Sequence, residues 1–289
     1  MKQIQALIYT ILILLILSAN AAAGDYADLK FIGFSEDGKY LAFEESGEWD
    51  VHRGGDYATT YFIDVEKNVY AAAPSVFDFS ENDDSHTGKF SRAARLIRYR
   101  KSVVAQMKRF KIVAGNVGKL VVAHLSSDHS FEKPVYRESY ILENDGTATK
   151  KIAPFYEGGQ LSPGDNSSKV IFNPFSNPVN PADDEFYELT LDVTGSKEPC
   201  YSDGNSLEHA SKIKLTLQDN THHTDLEPQI LQKDERLPES RRCADSYAIE
   251  QVYFYKDNLA VFLNYEYSYP NRNRRYMAVT GKLDYASNR

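Results

Sequence analysis

The sequence is poor in the residues that most directly announce chemistry. Cysteine occurs twice in 289 residues, at Cys200 and Cys243, too far apart for the Cys-x-x-Cys spacing of redox and zinc sites. There is no Gly-x-Ser-x-Gly elbow, no glycine loop of the phosphate-cradling kind and no His-Glu-x-x-His pair. The short signatures of serine hydrolases, nucleotide-binding proteins and zinc proteases are therefore missing. Beyond Leu17 no run is apolar enough to span a bilayer, for which about 20 strongly apolar residues are needed. Acidic residues, plentiful elsewhere, vanish between Asp84 and Asp128.

What is present begins with "MKQIQALIYTILILLILSANAAAG": one cation, Lys2, an apolar run from Ala6 to Leu17, then small residues. That is the pattern of a secretory signal peptide over residues 1–23. No cysteine follows the cleavage region, so a lipid-anchored lipoprotein is not expected. Residues 24–289 are read as a single secreted β-rich domain, with 115–150 as the place where it would subdivide. At about 265 residues it is large enough to bury a core without staples. In an oxidising compartment an isolated cysteine pair is expected to form a disulfide, Cys200–Cys243. Its loop of about 44 residues would contribute up to about 4 kcal/mol through chain entropy. Two separate buried thiols are the alternative.

The stretch "FIGFSEDGKYLAF" (Phe31–Phe43) reads as a hairpin across Ser35-Glu36-Asp37-Gly38, with Asp-Gly supplying the positive φ of a tight turn. "ATTYFIDVEKNVY" (Ala58–Tyr70) alternates as another strand, and the glycine-rich Gly47–Asp56 between them reads as a loop or a mobile flap. "KLVVAHL", "VYRESYILE", "EFYELTLDV", "KIKLTLQD", "AIEQVYFY", "LAVFLNYEYSY" and "RYMAVTGKLDY" continue the β pattern, and the 20 tyrosines suit it. A β-propeller would repeat the opening hairpin every 40–50 residues or so. The nearest echoes, Gln160–Phe172 and Val252–Phe262, are unevenly spaced and further apart than that. The expected class is therefore mainly β, with antiparallel sheets and hairpins, and a degenerate propeller is the alternative.

One segment breaks the period of two. Over residues 88–113 the apolar Phe90, Ala93, Leu96, Ile97, Val103, Val104, Met107 and Phe110 fall on one side of a helical projection, with Arg95, Arg98 and Arg109 opposite. Gly115 is the expected C-cap. Arg100 projects from the apolar side, and on this reading it is buried against a carboxylate or backbone carbonyls. The segment also concentrates charge. Net charge is −8, or −9 without Lys2, yet residues 85–127 hold ten cations and no acid, leaving −19 on the rest. Arg95, Arg98 and Arg109 are the candidate residues for binding an anion or a partner. Their face would meet anionic lipid, cell-wall polymer or an acidic protein; the competing reading is that it docks on the protein's own acidic remainder. A second basic group comprises Arg236, Arg241, Arg242, Arg272, Arg274 and Arg275, and would make an anion pocket if it met the first.

The remaining motifs are weak. His222-His223-x-Asp225, the pair His124 and His129, and the acidic groups Glu81–Asp84 and Asp183–Glu185 lack a complete ligand pattern. No metal and no cofactor are expected. Asn166-Ser167-Ser168 matches a glycosylation acceptor, a three-residue pattern too short to assign a function by itself. Nucleic acid is not expected as a partner of an acidic exported chain.

"DERLPESRRCADSYAIEQVY" and "AVFLNYEYSYPNRNRRYMAV" in the C-terminal third, together with "ADLKFIGFSEDGKYLAFEE" before "YFIDVEKN", resemble the bacterial predicted secreted proteins of domain-of-unknown-function family 2259. The pattern R-L-P-x-S-R-x-C stands here as Arg236, Leu237, Pro238, Ser240, Arg241 and Cys243; Ala244 replaces the proline common after the cysteine. The resemblance implies secretion and no particular activity. Two functions from different classes follow: a non-enzymatic exported protein that binds an anionic or protein partner in the envelope, or an envelope hydrolase with an unrecognised site.

Overall fold

The computed structural model describes residues 26–49, 54–80, 91–123, 139–142, 148–151, 168–174, 186–196, 198, 200–202, 205–207, 210–220, 227–237, 241, 243–267 and 273–283. The expected signal peptide lies outside the described residues. The chain opens with β1 (Asp28–Phe34), β2 (Tyr40–Glu48), β3 (Gly55–Asp64), β4 (Val69–Tyr70) and β5 (Ser75–Ser80), followed by a helix, α1 (Arg92–Phe110). Then come β6 (Lys119–Ala123), the pair β7 (Ser139–Leu142) and β8 (Ala148–Lys151), β9 (Ser168–Phe172) and β10 (Tyr187–Ser196). The small hairpin β11 (Cys200–Ser202) and β12 (Asn205–Leu207) precedes β13 (Ala210–Asp219) and β14 (Gln229–Lys233). Three long strands close the fold: β15 (Ser246–Tyr255), β16 (Asn258–Tyr267) and β17 (Asn273–Lys282).

Among the described residues these strands make three larger antiparallel sheets, besides the two-stranded pairs β7-β8 and β11-β12. β1-β2-β3-β4, with β5 also on β3, form the first; β17-β16-β15-β6 the second; β14-β13-β10-β9 the third. The mainly-β expectation holds. β10 and β13 show one-sided burial, with Tyr187, Leu189, Leu191 and Val193 inward and Glu188, Thr190 and Asp192 less covered. β16 differs: Leu259 to Tyr265 is buried without interruption. Alternate residues of β16 face opposite ways, and each side meets another sheet. Leu259, Val261 and Leu263 pack with Leu189, Leu191 and Leu215 of the third sheet. Ala260 and Phe262 pack with Phe34, Leu41 and Phe43 of the first. The second sheet is thus the middle layer of three.

The first sheet is in turn covered on its far side by α1. Ala42 of β2 and Phe62 of β3 pack there with Phe110, Ile112, Val103 and Met107. Two consecutive glutamates on β2 divide between the two interfaces. Glu44 points toward the helix, where it accepts from the Tyr99 hydroxyl at 2.5 Å. Glu45 points toward the middle sheet and accepts from the Tyr61 hydroxyl at 2.6 Å and the Tyr276 amide at 2.9 Å.

The helix is shorter than the pattern over 88–113. It starts at the N-cap Ser91, whose hydroxyl accepts from the Ala94 amide at 3.3 Å. It ends at Lys111, a C-cap in the left-handed region with φ 54°, rather than at Gly115. The early stop has a tertiary cause. Residues 112–116 return to the edge of β1, with Val113 N donating to Phe34 O at 3.1 Å and Phe34 N to Asn116 O at 2.8 Å. The approach is so close that a Cβ on Gly33, at φ 145°, would sit 2.4 Å from the Val113 carbonyl oxygen. Several strands are not among those expected, β5, β8, β11, β12 and β14, and the loop expected over Gly47–Asp56 is trimmed because β2 runs to Glu48 and β3 starts at Gly55.

Candidate functional site: the two sides of the basic helix

α1 carries seven cations and no carboxylate. Its rotation about its own axis is set by two aromatic anchors eleven residues apart, which three helical turns bring to one side. Tyr99 is buried, and its hydroxyl reaches both Glu44 Oε2 and, at 2.7 Å, Thr60 Oγ1. Both partners are at hand because Glu44 and Thr60 are direct cross-strand neighbours of β2 and β3, the carboxylate accepting the phenol proton and the Thr60 hydroxyl able to donate to the phenol oxygen. Burial, with the neighbouring Glu44 carboxylate, pushes the Tyr99 phenol well above its ordinary pKa, so it is a fixed donor. Phe110 packs on Tyr40 and Phe62, ring centroids 4.8 and 5.9 Å away.

These anchors correct the expected helical phase. Arg100 is exposed, not carried into the core, and Ile97 and Val104 are 55% and 64% exposed. The projection weighted apolar residues alone and so passed over Tyr99, an amphipathic side chain whose ring is buried and whose hydroxyl finds a carboxylate. Anchoring Tyr99 turns Ile97, Arg100, Lys101, Val104 and Lys108 to the outside.

The three candidate arginines lie in different settings. Arg95 is half-buried and donates from Nη1 to the Asp78 carbonyl of β5 at 3.2 Å. Arg98 is exposed. Both border an open groove of 480 Å³ between α1 and β5, whose floor includes Phe77, Tyr99 and the hydrogen-bonded pair Ser75 and Ser102, 2.7 Å apart. The Trp49 indole N–H donates to Asp78 Oδ1 at 3.0 Å on the border of the same groove. Arg109 is outside it, exposed, with its guanidinium 5.0 Å from the centre of the Phe110 ring.

The second basic group is largely engaged inside the fold. Arg241 binds Asp234 at 2.8 Å and the Tyr247 hydroxyl at 3.1 Å, with both charged side chains at most 5% exposed. Arg274 binds Glu266 at 2.7 Å. Arg275 donates to the Tyr57 hydroxyl at 2.9 Å and lies over the Tyr57 ring. These arginines tie β14, β15, β16, β17 and β3 together and leave little charge for a ligand. Arg242 and Arg272 lie outside the described residues. A second groove, 420 Å³ on the third sheet, mixes Asp192 and Asp234 with Lys212, Lys214 and Lys233, so it has no field of one sign.

All seven histidines, the acidic groups Glu81–Asp84 and Asp183–Glu185, and Asn166 lie outside the described residues. Among the described residues no group of three or more His, Cys, Asp or Glu is placed to hold a metal ion. Cys243 is buried beside Ala210 and Leu237, while the side chain of Cys200 lies outside what is described.

The motif Arg236 to Cys243 thus contains the Arg241 clasp, and Leu237 within it donates its amide to Glu198 Oε2 at 3.0 Å. The family model for predicted secreted proteins, DUF2259, matches residues 42–282, from β2 to the end of β17. The chain belongs to that family. No curated protein matches it. DUF2259 membership makes it a secreted protein, and no helix among the described residues is long and apolar enough to cross a membrane. The stretch matched in this DUF2259 member includes all of α1.

Proposed function

We propose that the protein is a non-enzymatic binding protein of the bacterial cell envelope, built as one β-rich domain, that holds an anionic partner on the solvent side of α1. The observation that carries this reading is the separation of charge. Without the seven cations of α1 the net charge of the chain would fall from −8 to −15. Cations gathered on one face of an acidic protein attract anions locally and orient their approach. Arg100, Lys101 and Lys108 are the central contacts, with Arg98 and Arg109 on the flank nearer the groove. Arg95 serves mainly to fasten α1 to β5.

The exported setting also supports assigning Cys200–Cys243 as a disulfide: an oxidising compartment favours pairing, Cys243 is buried, and the sequence holds one other cysteine. The binding role is tested by retention of the purified protein on an immobilised polyanion such as heparin. The wild type is retained at low salt and released as salt screens the contact. Arg100→Glu with Lys108→Glu elutes at distinctly lower salt. A protein that flows through at the lowest salt has no such role.

A further inference from the structure

We propose that the anionic partner is a lipid surface, and that α1 lies against it with Ile97 and Val104 entering the headgroup layer; this rests on the anion-binding reading above. The distinguishing observation is apolar. Seven large apolar side chains are exposed among the described residues, and four belong to α1 or its immediate neighbours: Ile97, Val104, Val113 and Val76. Ile97 and Val104 are seven residues apart, so two helical turns place them on one line along the helix. Arg100, Lys101 and Lys108 stand along that same line, all exposed.

A soluble polyanion is satisfied by cations alone. Isolated branched apolar residues between cations suit a surface whose charged headgroups overlie hydrocarbon. The aliphatic stems of Lys101, Lys108 and Arg100 can run alongside Ile97 and Val104 while their charged ends stay at headgroup level. Charge fixes the orientation as well. An anionic membrane repels the acidic body of the protein and attracts only the α1 side. The three-sheet stack then stands away from the membrane with α1 as its base. The contact is peripheral, because α1 is not apolar enough to cross a bilayer.

The test is co-sedimentation of the full chain with vesicles of phosphatidylcholine alone, or with about one-third phosphatidylglycerol. Binding is expected only to the anionic vesicles and is weakened by salt. Ile97→Gln with Val104→Gln keeps every charge and replaces exposed residues with a good helix former. It should lower vesicle affinity by about tenfold and leave heparin retention unchanged. Equal vesicle binding by this variant and the wild type would overturn the lipid assignment while sparing the anion-binding reading. Heparin retention without vesicle binding would do the same, and point to a polyanionic polymer. Failure on both supports removes both readings.

Discussion

Replacing Tyr99 by Phe removes one hydroxyl from the interface between α1 and the first sheet. That hydroxyl donates to Glu44 Oε2 at 2.5 Å and contacts Thr60 Oγ1 at 2.7 Å. Without it the carboxylate oxygen keeps only a long contact with Thr60, at 3.4 Å. Hydrogen bonds to a charged group contribute about 1.5–3 kcal/mol, and Glu44 is only part-buried, so water recovers some of the loss. The expected destabilisation is about 2 kcal/mol. For a domain of this size that lowers Tm by about 4–8 °C. Arg100→Met is the matching control. Arg100 is exposed and methionine equals arginine as a helix former, so the change should stay within about 0.5 kcal/mol. Thermal unfolding followed by circular dichroism compares the two directly. A larger loss for Arg100→Met than for Tyr99→Phe would mean that α1 buries its other side, and the outward placement of Ile97, Lys101 and Val104 would fall with it.

Glu45 is raised in pKa, chiefly by burial, against the lowering influence of the Tyr61 hydroxyl, the Tyr276 amide and Arg275. The folded state therefore holds this proton more tightly than the unfolded chain does, so stability rises as pH falls through the folded-state pKa and levels off below the ordinary value of 4.5. The stability of the wild type relative to Glu45→Gln should grow as pH is lowered from about 7 toward 4.5; denaturant titrations giving a constant difference would contradict this. Cys243→Ser should abolish a reduction-dependent shift in electrophoretic mobility that the wild type shows, and lower stability by up to about 4 kcal/mol. Identical mobility of the wild type with and without reductant would exclude the bridge.

Most strands were legible because one-sided burial writes itself as alternation. Tyr187, Leu189, Leu191 and Val193 of β10, and Ile213, Leu215 and Leu217 of β13, are inward as their spacing predicts. β16 was legible as a strand but not as the middle layer, since an apolar run does not say what covers each side. β5 is hard to read because it is only six residues long and its pattern is inverted at several positions, Val76 being exposed while Ser75 and Ser80 are buried, and its strand partner is β3. The helix was legible and its phase was not. Apolar content favoured Ile97 and Val104 as inward residues, while the inward position went to Tyr99, whose partners Glu44 and Thr60 come from two other strands. The candidate site was legible as a charge imbalance, for which composition suffices. Which cations face solvent depended on that phase, and which are engaged internally depended on how the chain turns between close sequence neighbours, seven residues from Asp234 to Arg241 and eight from Glu266 to Arg274.

The central claim is that the position of positive charge on α1, and not the charge of the whole protein, creates the binding surface. Lys101→Glu and Lys282→Glu change net charge equally. Lys101 is on the outer side of α1, whereas Lys282 is exposed at the end of β17 in the middle sheet, beyond the first sheet from the helix. Affinity for anionic vesicles and for heparin, measured side by side at one salt concentration, should fall for Lys101→Glu by at least about fivefold, the loss expected for a single cation near an anionic surface. Lys282→Glu should change it by less than about twofold, as screening over that distance requires. Equal losses for the two variants would show that attraction is a property of net charge, and that α1 is not the site.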